Sequence, residues 1–78
     1  MFETIDETYQ RLERLKALAE AEYGEMYHSD DPTGCYSRAK EAFYDAIALA
    51  SQLGLEEDVE RLEKRLRHVK EVFRHQFI

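Results

Sequence analysis

The sequence predicts an all-α protein: a three-helix antiparallel bundle with helix 1 packed on a helix 2/helix 3 hairpin, assembling into a larger helical bundle as a homodimer. Three observations carry this expectation. Apolar residues recur at steps of three and four along three segments, nothing alternates with the two-residue period of a strand, and two breaks separate the segments, the first of them rich in turn formers.

The first segment is expected as a helix over 2–28. Ile5, Tyr9, Leu12, Leu15, Ala19, Tyr23 and Met26 form one apolar stripe, interrupted by Thr8 and Lys16, and Gly24 weakens its last turn. A loop over 28–34 follows, holding Ser29, Asp30, Asp31, the single proline Pro32, Thr33 and Gly34. Either Asp31 caps the next helix with Pro32 in its first position, or Thr33 is the cap.

Helix 2 is expected over 33–53. Its inward residues are Tyr36, Ala39, Phe43, Ala46, Ile47, Ala50 and Leu53, and Cys35, Ala42 and Leu49 widen the apolar arc. That arc covers roughly 160°, against the ~100° that suits a helix with one neighbour, so helix 2 should touch two partners. Its alanines, Ala39, Ala42, Ala46 and Ala50, permit close approach by a neighbouring backbone. Gly54 suits a left-handed C′ residue and Leu55 the apolar residue of a Schellman ending.

Helix 3 is expected over 55–76. Leu55, Val59, Leu62, Leu66, Val69 and Phe73 keep a strict 4-3-4-3-4 spacing, the strongest periodic signal in the chain. Glu56, Glu57 and Asp58 meet the positive end of the helix dipole, while Arg67, Lys70 and Arg74 lie towards the other end. The pairs Glu57/Arg61, Glu60/Lys64 and Glu63/Arg67 lace the outer face. The hairpin from Ala39 to Phe73 is similar in outline to those of tetratricopeptide repeats. It covers under half the chain and lacks that repeat's Trp and closing Pro, so no family is assigned from it.

The 78 residues accommodate one domain, 1–78. At this size a chain buries only about 60% of the surface exposed on unfolding. A single cysteine, Cys35, excludes an intrachain disulfide, which leaves helix packing and self-association as the expected supports. Eleven Lys+Arg against seventeen Asp+Glu give a net charge of −6, which argues against nucleic acid as a partner. No apolar run approaches a membrane span, and the start Met1-Phe2-Glu3-Thr4-Ile5-Asp6 lacks the pattern of a signal peptide. The expectation is a soluble cytoplasmic protein without a membrane partner.

Chemistry-bearing residues are few. His68 and His75 fall opposite the helix 3 seam, about 10.5 Å apart along the axis, too far for one ion. Glu71 with His75, and Glu25 with His28, have chelating spacings; the second matches the Glu-x-x-His fragment of di-iron bundles, where two copies converge. A dimer completing a carboxylate/histidine metal site through Glu25 and His28 is therefore the alternative functional reading. Cys35 lies in the first turn of helix 2, where a dipole can activate a thiol, but its place at the margin of the apolar arc favours a small buried residue. Tyr23, Met26, Tyr27 and Tyr36 flank the loop and form either a ligand pocket or the closing layer of the core.

No phosphate-binding glycine loop, nucleophile triad or paired-cysteine site is present. The sequence is thus read as a small non-catalytic helical interaction or assembly module with no cofactor, binding itself or a partner protein helix. Phe2, Ile5 and Tyr9, at the end of helix 1 that overhangs helix 2, and Phe77 and Ile78 are the expected partner-binding residues.

Overall fold

Asp31 starts the second helix. Its carboxylate oxygen accepts the Gly34 N–H at 3.0 Å, and Pro32 fills the first helical position, where no N–H is needed. The computed structural model describes residues 2–78, with side chains from Asp6 onward, as α1 (Phe2–Glu25), α2 (Pro32–Gln52) and α3 (Glu56–Gln76). The side chains of Phe2 and Ile5 lie outside the described residues. Of the two caps open on sequence grounds, Asp31 is the one used. Ser29 Oγ accepts the Asp31 N–H at 2.9 Å, tying the loop to the cap. A Cβ on Gly34 would collide with the Asp31 carboxylate, so the cap fits closely over a bare backbone.

α1 ends at Glu25, three residues before the expected 28. The chain then tightens into a turn in which Tyr27 N–H donates to Gly24 C=O at 3.3 Å and His28 N–H to Glu25 C=O at 3.0 Å. Met26 sits in this turn and is still buried, at 1% exposure. At the other link, Leu55 N–H donates to Ala50 C=O at 2.9 Å and Gly54 N–H to Ser51 C=O at 3.1 Å, with Gly54 at φ 74°. These are the two bonds of a Schellman ending. α3 has no side-chain cap at Leu55; the acids Glu56, Glu57 and Asp58 in its first turn face the helix dipole instead.

α2 is the centre of the molecule and packs against both α1 and α3. Its wide apolar arc divides into two. Ala39, Ala42, Ala46 and Ala50, none more than 3% exposed, are the small half and let α1 come closest. Phe43, Tyr36 and Ile47 form the bulky half, and Tyr36 stacks on Phe73 of α3 with ring centres 3.9 Å apart. Leu62, Leu66, Val69 and Phe73 of the α3 seam are buried in the same cluster as Leu12 and Ala19 of α1.

The Cα envelope measures 45 × 21 × 12 Å, with a radius of gyration of 13.4 Å. A compact chain of this length has a radius of about 11.5 Å, so the bundle is drawn out along one axis. The cause is α1. Arg11 lines a surface cleft with Gln52, the last residue of α2, so the helix N-terminal to Arg11 runs about 13 Å past the end of α2. No helix among the described residues is long and apolar enough to cross a membrane.

Two glycines in helix-terminal positions respond oppositely to alanine. Gly24 is helical and exposed, and an added Cβ meets nothing within 4 Å; Gly24→Ala should stabilise the fold by roughly 0.5 kcal/mol. Gly54→Ala forces a side chain into the left-handed region and should cost about 1 kcal/mol. Urea denaturation of both variants checks the two signs.

Candidate interaction surface

α1 and α3 hardly approach through their backbones, and long side chains span the gap. At one end Lys16 Nζ lies 3.3 Å from Asp58 and 3.0 Å from Glu13. One turn further up α1, Arg65 donates two hydrogen bonds to Glu20, at 2.7 and 2.8 Å. The Arg65 guanidinium also lies 5.0 Å from the centre of the Tyr23 ring. Between these straps is a crevice of about 340 Å³, with Phe43 and Leu62 beneath it and Arg61 on its rim.

Ionisation follows the straps. Burial works against the Lys16 ammonium, yet the hydrogen bonds and charges of Glu13 and Asp58 outweigh it and raise its pKa. The hydrogen bonds from Arg65 to Glu20 raise the arginine further above its already high value.

The sequence pattern contained a signal for this seam. Lys16 and Glu20 are four apart on α1, Asp58 and Arg65 seven apart on α3, and the charges are opposite in the order in which two parallel helices would meet them. Read one helix at a time, Lys16 is only an interruption of a stripe and Arg65 only part of a solvated face. His68, expected on the face turned from the core, is exposed, but its Nε2 reaches the Tyr23 hydroxyl at 3.4 Å. It therefore belongs to the α1/α3 seam. His75 is exposed.

The loop-flanking aromatics interlock. Tyr36 stacks on Phe73, Phe73 on Phe77, Phe77 meets the edge of Tyr27, and Tyr27 that of Tyr23. Met26 lies buried in the core, and the Tyr23 and Tyr27 hydroxyls are 3.1 Å apart. This is the arrangement of a closing layer over the end of the core. Phe77, taken from sequence as a partner residue, is half-buried here between Tyr27 and Phe73, while Ile78 is 86% exposed. The expected partner residues do not form one surface. Tyr9, 41% exposed, lies towards the end of α1 that overhangs α2, and Phe77 and Ile78 lie at the opposite end of the bundle.

Glu25 and His28 are both exposed, and the His28 N–H donates to the Glu25 backbone carbonyl. Among the described residues no group of three or more His, Cys, Asp and Glu is placed to hold a metal ion. Cys35 is 2% exposed, and its sulfur lies 3.5 Å from Arg38, itself held to Glu22 at 3.0 Å.

A second surface lies along the outer side of α2 and α3. Lys70 Nζ donates to the Tyr44 hydroxyl at 2.8 Å and lies over that ring; Lys40 Nζ lies 4.9 Å over the ring of Tyr36. Tyr44 is half-exposed. The hydrogen bond from Lys70, aided by the charges of Lys70 and Lys40, lowers the Tyr44 pKa against opposing desolvation. Tyr23 moves the other way, raised by burial and by its hydrogen bond to Tyr27.

Comparison with protein-family profiles, with curated proteins and with solved structures returns no match for this chain.

Two measurements check this description. In an alkaline titration followed by tyrosinate absorbance, Tyr44 should ionise below the ordinary value of about 10 and Tyr23 above it. Tyr44→Phe then removes the early component and Tyr23→Phe the late one. Because the folded-state value of Tyr23 is raised, its contribution to stability is complete below the unfolded value and is lost as pH rises through the folded one. Iodoacetamide should modify Cys35 at the rate of unfolding; fast labelling of the folded chain near neutral pH would contradict the burial of the thiol.

Proposed function

We propose that this protein is a small, non-catalytic helical interaction module that self-associates, in the simplest case as a homodimer. One observation carries the reading. The α1 stripe that is buried at Leu12 and Ala19 continues past the end of α2, where Tyr9 is 41% exposed and Phe2 and Ile5 extend the same spacing in the sequence. A stripe of this kind is the usual anchor of a helix that docks against another helix.

The distribution of reactive groups supports a binding role over a catalytic one. Cys35 is buried beside Arg38 rather than beside a histidine, and His28 and His75 are exposed on separate elements. Catalysis needs a nucleophile, a base and an orienting group within hydrogen-bond reach of one another.

Sedimentation equilibrium and light scattering provide the test. The chain should reach twice its 9.3 kDa mass as concentration rises. Tyr9→Glu should move the equilibrium towards the single chain while leaving the helical circular dichroism intact. A mass of one chain at every concentration overturns the proposal.

A further inference from the structure

The self-association proposed above leaves open which surface receives the end of α1. The α1/α3 crevice is a poor receiver because its cations are already held: Lys16 by Glu13 and Asp58, Arg65 by Glu20, and Arg61 by Glu57 and Asp58. The outer side of α2 and α3 differs. Lys40 and Lys70 lie over tyrosine rings, and Arg74 follows Lys70 by one helical turn. None of these three takes part in the ion pairs of the described residues. Glu41 and Glu71, their neighbours in sequence, are turned about 100° away around their helices. In a chain of net charge −6, this face joins cations to half-exposed aromatic surface.

The overhanging end of α1 is its complement. From Phe2 to Tyr9 the sequence contains Glu3, Asp6 and Glu7 with no Lys or Arg, and its aromatic residues are Phe2 and Tyr9. Asp6 and Glu7 are exposed. Resting on the self-association reading, we infer that the first two turns of α1 in one copy dock on the Lys40–Tyr44–Lys70 face of a second copy. Acid meets ammonium across the contact, and Tyr9 adds to the aromatic surface of Tyr36 and Tyr44. Each ammonium exchanges a ring contact for a carboxylate, which strengthens its pairing without breaking an internal ion pair. Exchanged reciprocally, the contact occurs twice and closes a dimer.

Charge exchange tests the assignment on the full chain by sedimentation equilibrium at low salt. Asp6→Lys and Lys70→Glu should each weaken the dimer about tenfold, since an exposed pair contributes roughly threefold and the contact occurs twice. The double variant should return close to wild type. Lys64→Glu makes the same charge change on another face of α3 and should leave the equilibrium unaltered. Added salt should weaken the wild type and flatten these differences.

A wild-type dimer indifferent to both reversals overturns this assignment alone and leaves self-association standing. A wild-type chain that stays monomeric overturns both. A monomeric chain that instead binds inorganic polyphosphate through Lys40 and Lys70 gives the face to a foreign polyanion and overturns the inference.

Discussion

Four alanines on α2 determine how the molecule is put together. Ala39, Ala42, Ala46 and Ala50 leave so little side chain between the axes that α1 lies close along α2, while Phe43, Tyr36 and Ile47 keep α3 at an ordinary distance on the adjoining part of the arc. The alanines and the bulky residues occupy adjoining rather than opposite parts of the α2 arc, by the 100° advance of successive helical residues. Two helices set that way around a third leave a gap on their far side. Lysine, arginine, aspartate and glutamate span it, the long stems of Lys16 and Arg65 covering apolar surface while the charges remain near water.

Magnitudes divide the work between core and straps. Full burial of a side chain such as Phe43 is worth about 1.5–3 kcal/mol, whereas a partly exposed ion pair gives about 0–1 kcal/mol. The apolar cluster therefore supplies the stability, and Lys16–Asp58 and Glu20–Arg65 fix the register of α1 against α3. The two links contribute by pinning helix ends: the Asp31 carboxylate over Gly34 at one, the paired backbone bonds around Gly54 at the other. In a chain without a disulfide, these short, well-bonded links replace covalent restraint.

What was legible in the sequence is what one helix decides by itself. The heptad seam of α3, the glycine at the end of α2 and the width of the α2 apolar arc depend on spacing within a single element, and each has its counterpart in the structure. The end of α1 was less legible because Met26 continues the apolar spacing even though the backbone has already left the helix at Glu25; burial and helicity part company in that turn. The pairing of α1 with α3 was missed for a different reason. It depends on the relative translation of two helices, which is set by the lengths of the links and the alanine contact, and no pattern within either helix specifies it. His68 and Phe77 were displaced from their expected surroundings by the same cause, since His68 meets Tyr23 of α1 and Phe77 meets Tyr27 in the turn that follows it. For the interaction surface, the exposed end of the α1 stripe was readable, but that Lys40 and Lys70 take no part in the ion pairs of the described residues is a matter of three-dimensional neighbours.

The shortness of the links has a kinetic consequence. The α2–α3 link is three residues, 53–55, and the α1–α2 link six, 26–31, so each of the two main helix contacts joins neighbours in the chain and little loop entropy is lost in making it. The contacts that connect the most distant positions join the region of α1 to α3: the straps Lys16 with Asp58 and Glu20 with Arg65, separated by 42 and 45 residues, and the pairings of Tyr23 with His68 and Tyr27 with Phe77. A topology so dominated by local contacts belongs among the helical bundles that fold in about microseconds to milliseconds. Assembly can therefore begin as either hairpin, and the straps lock only after α2 has collected both neighbours.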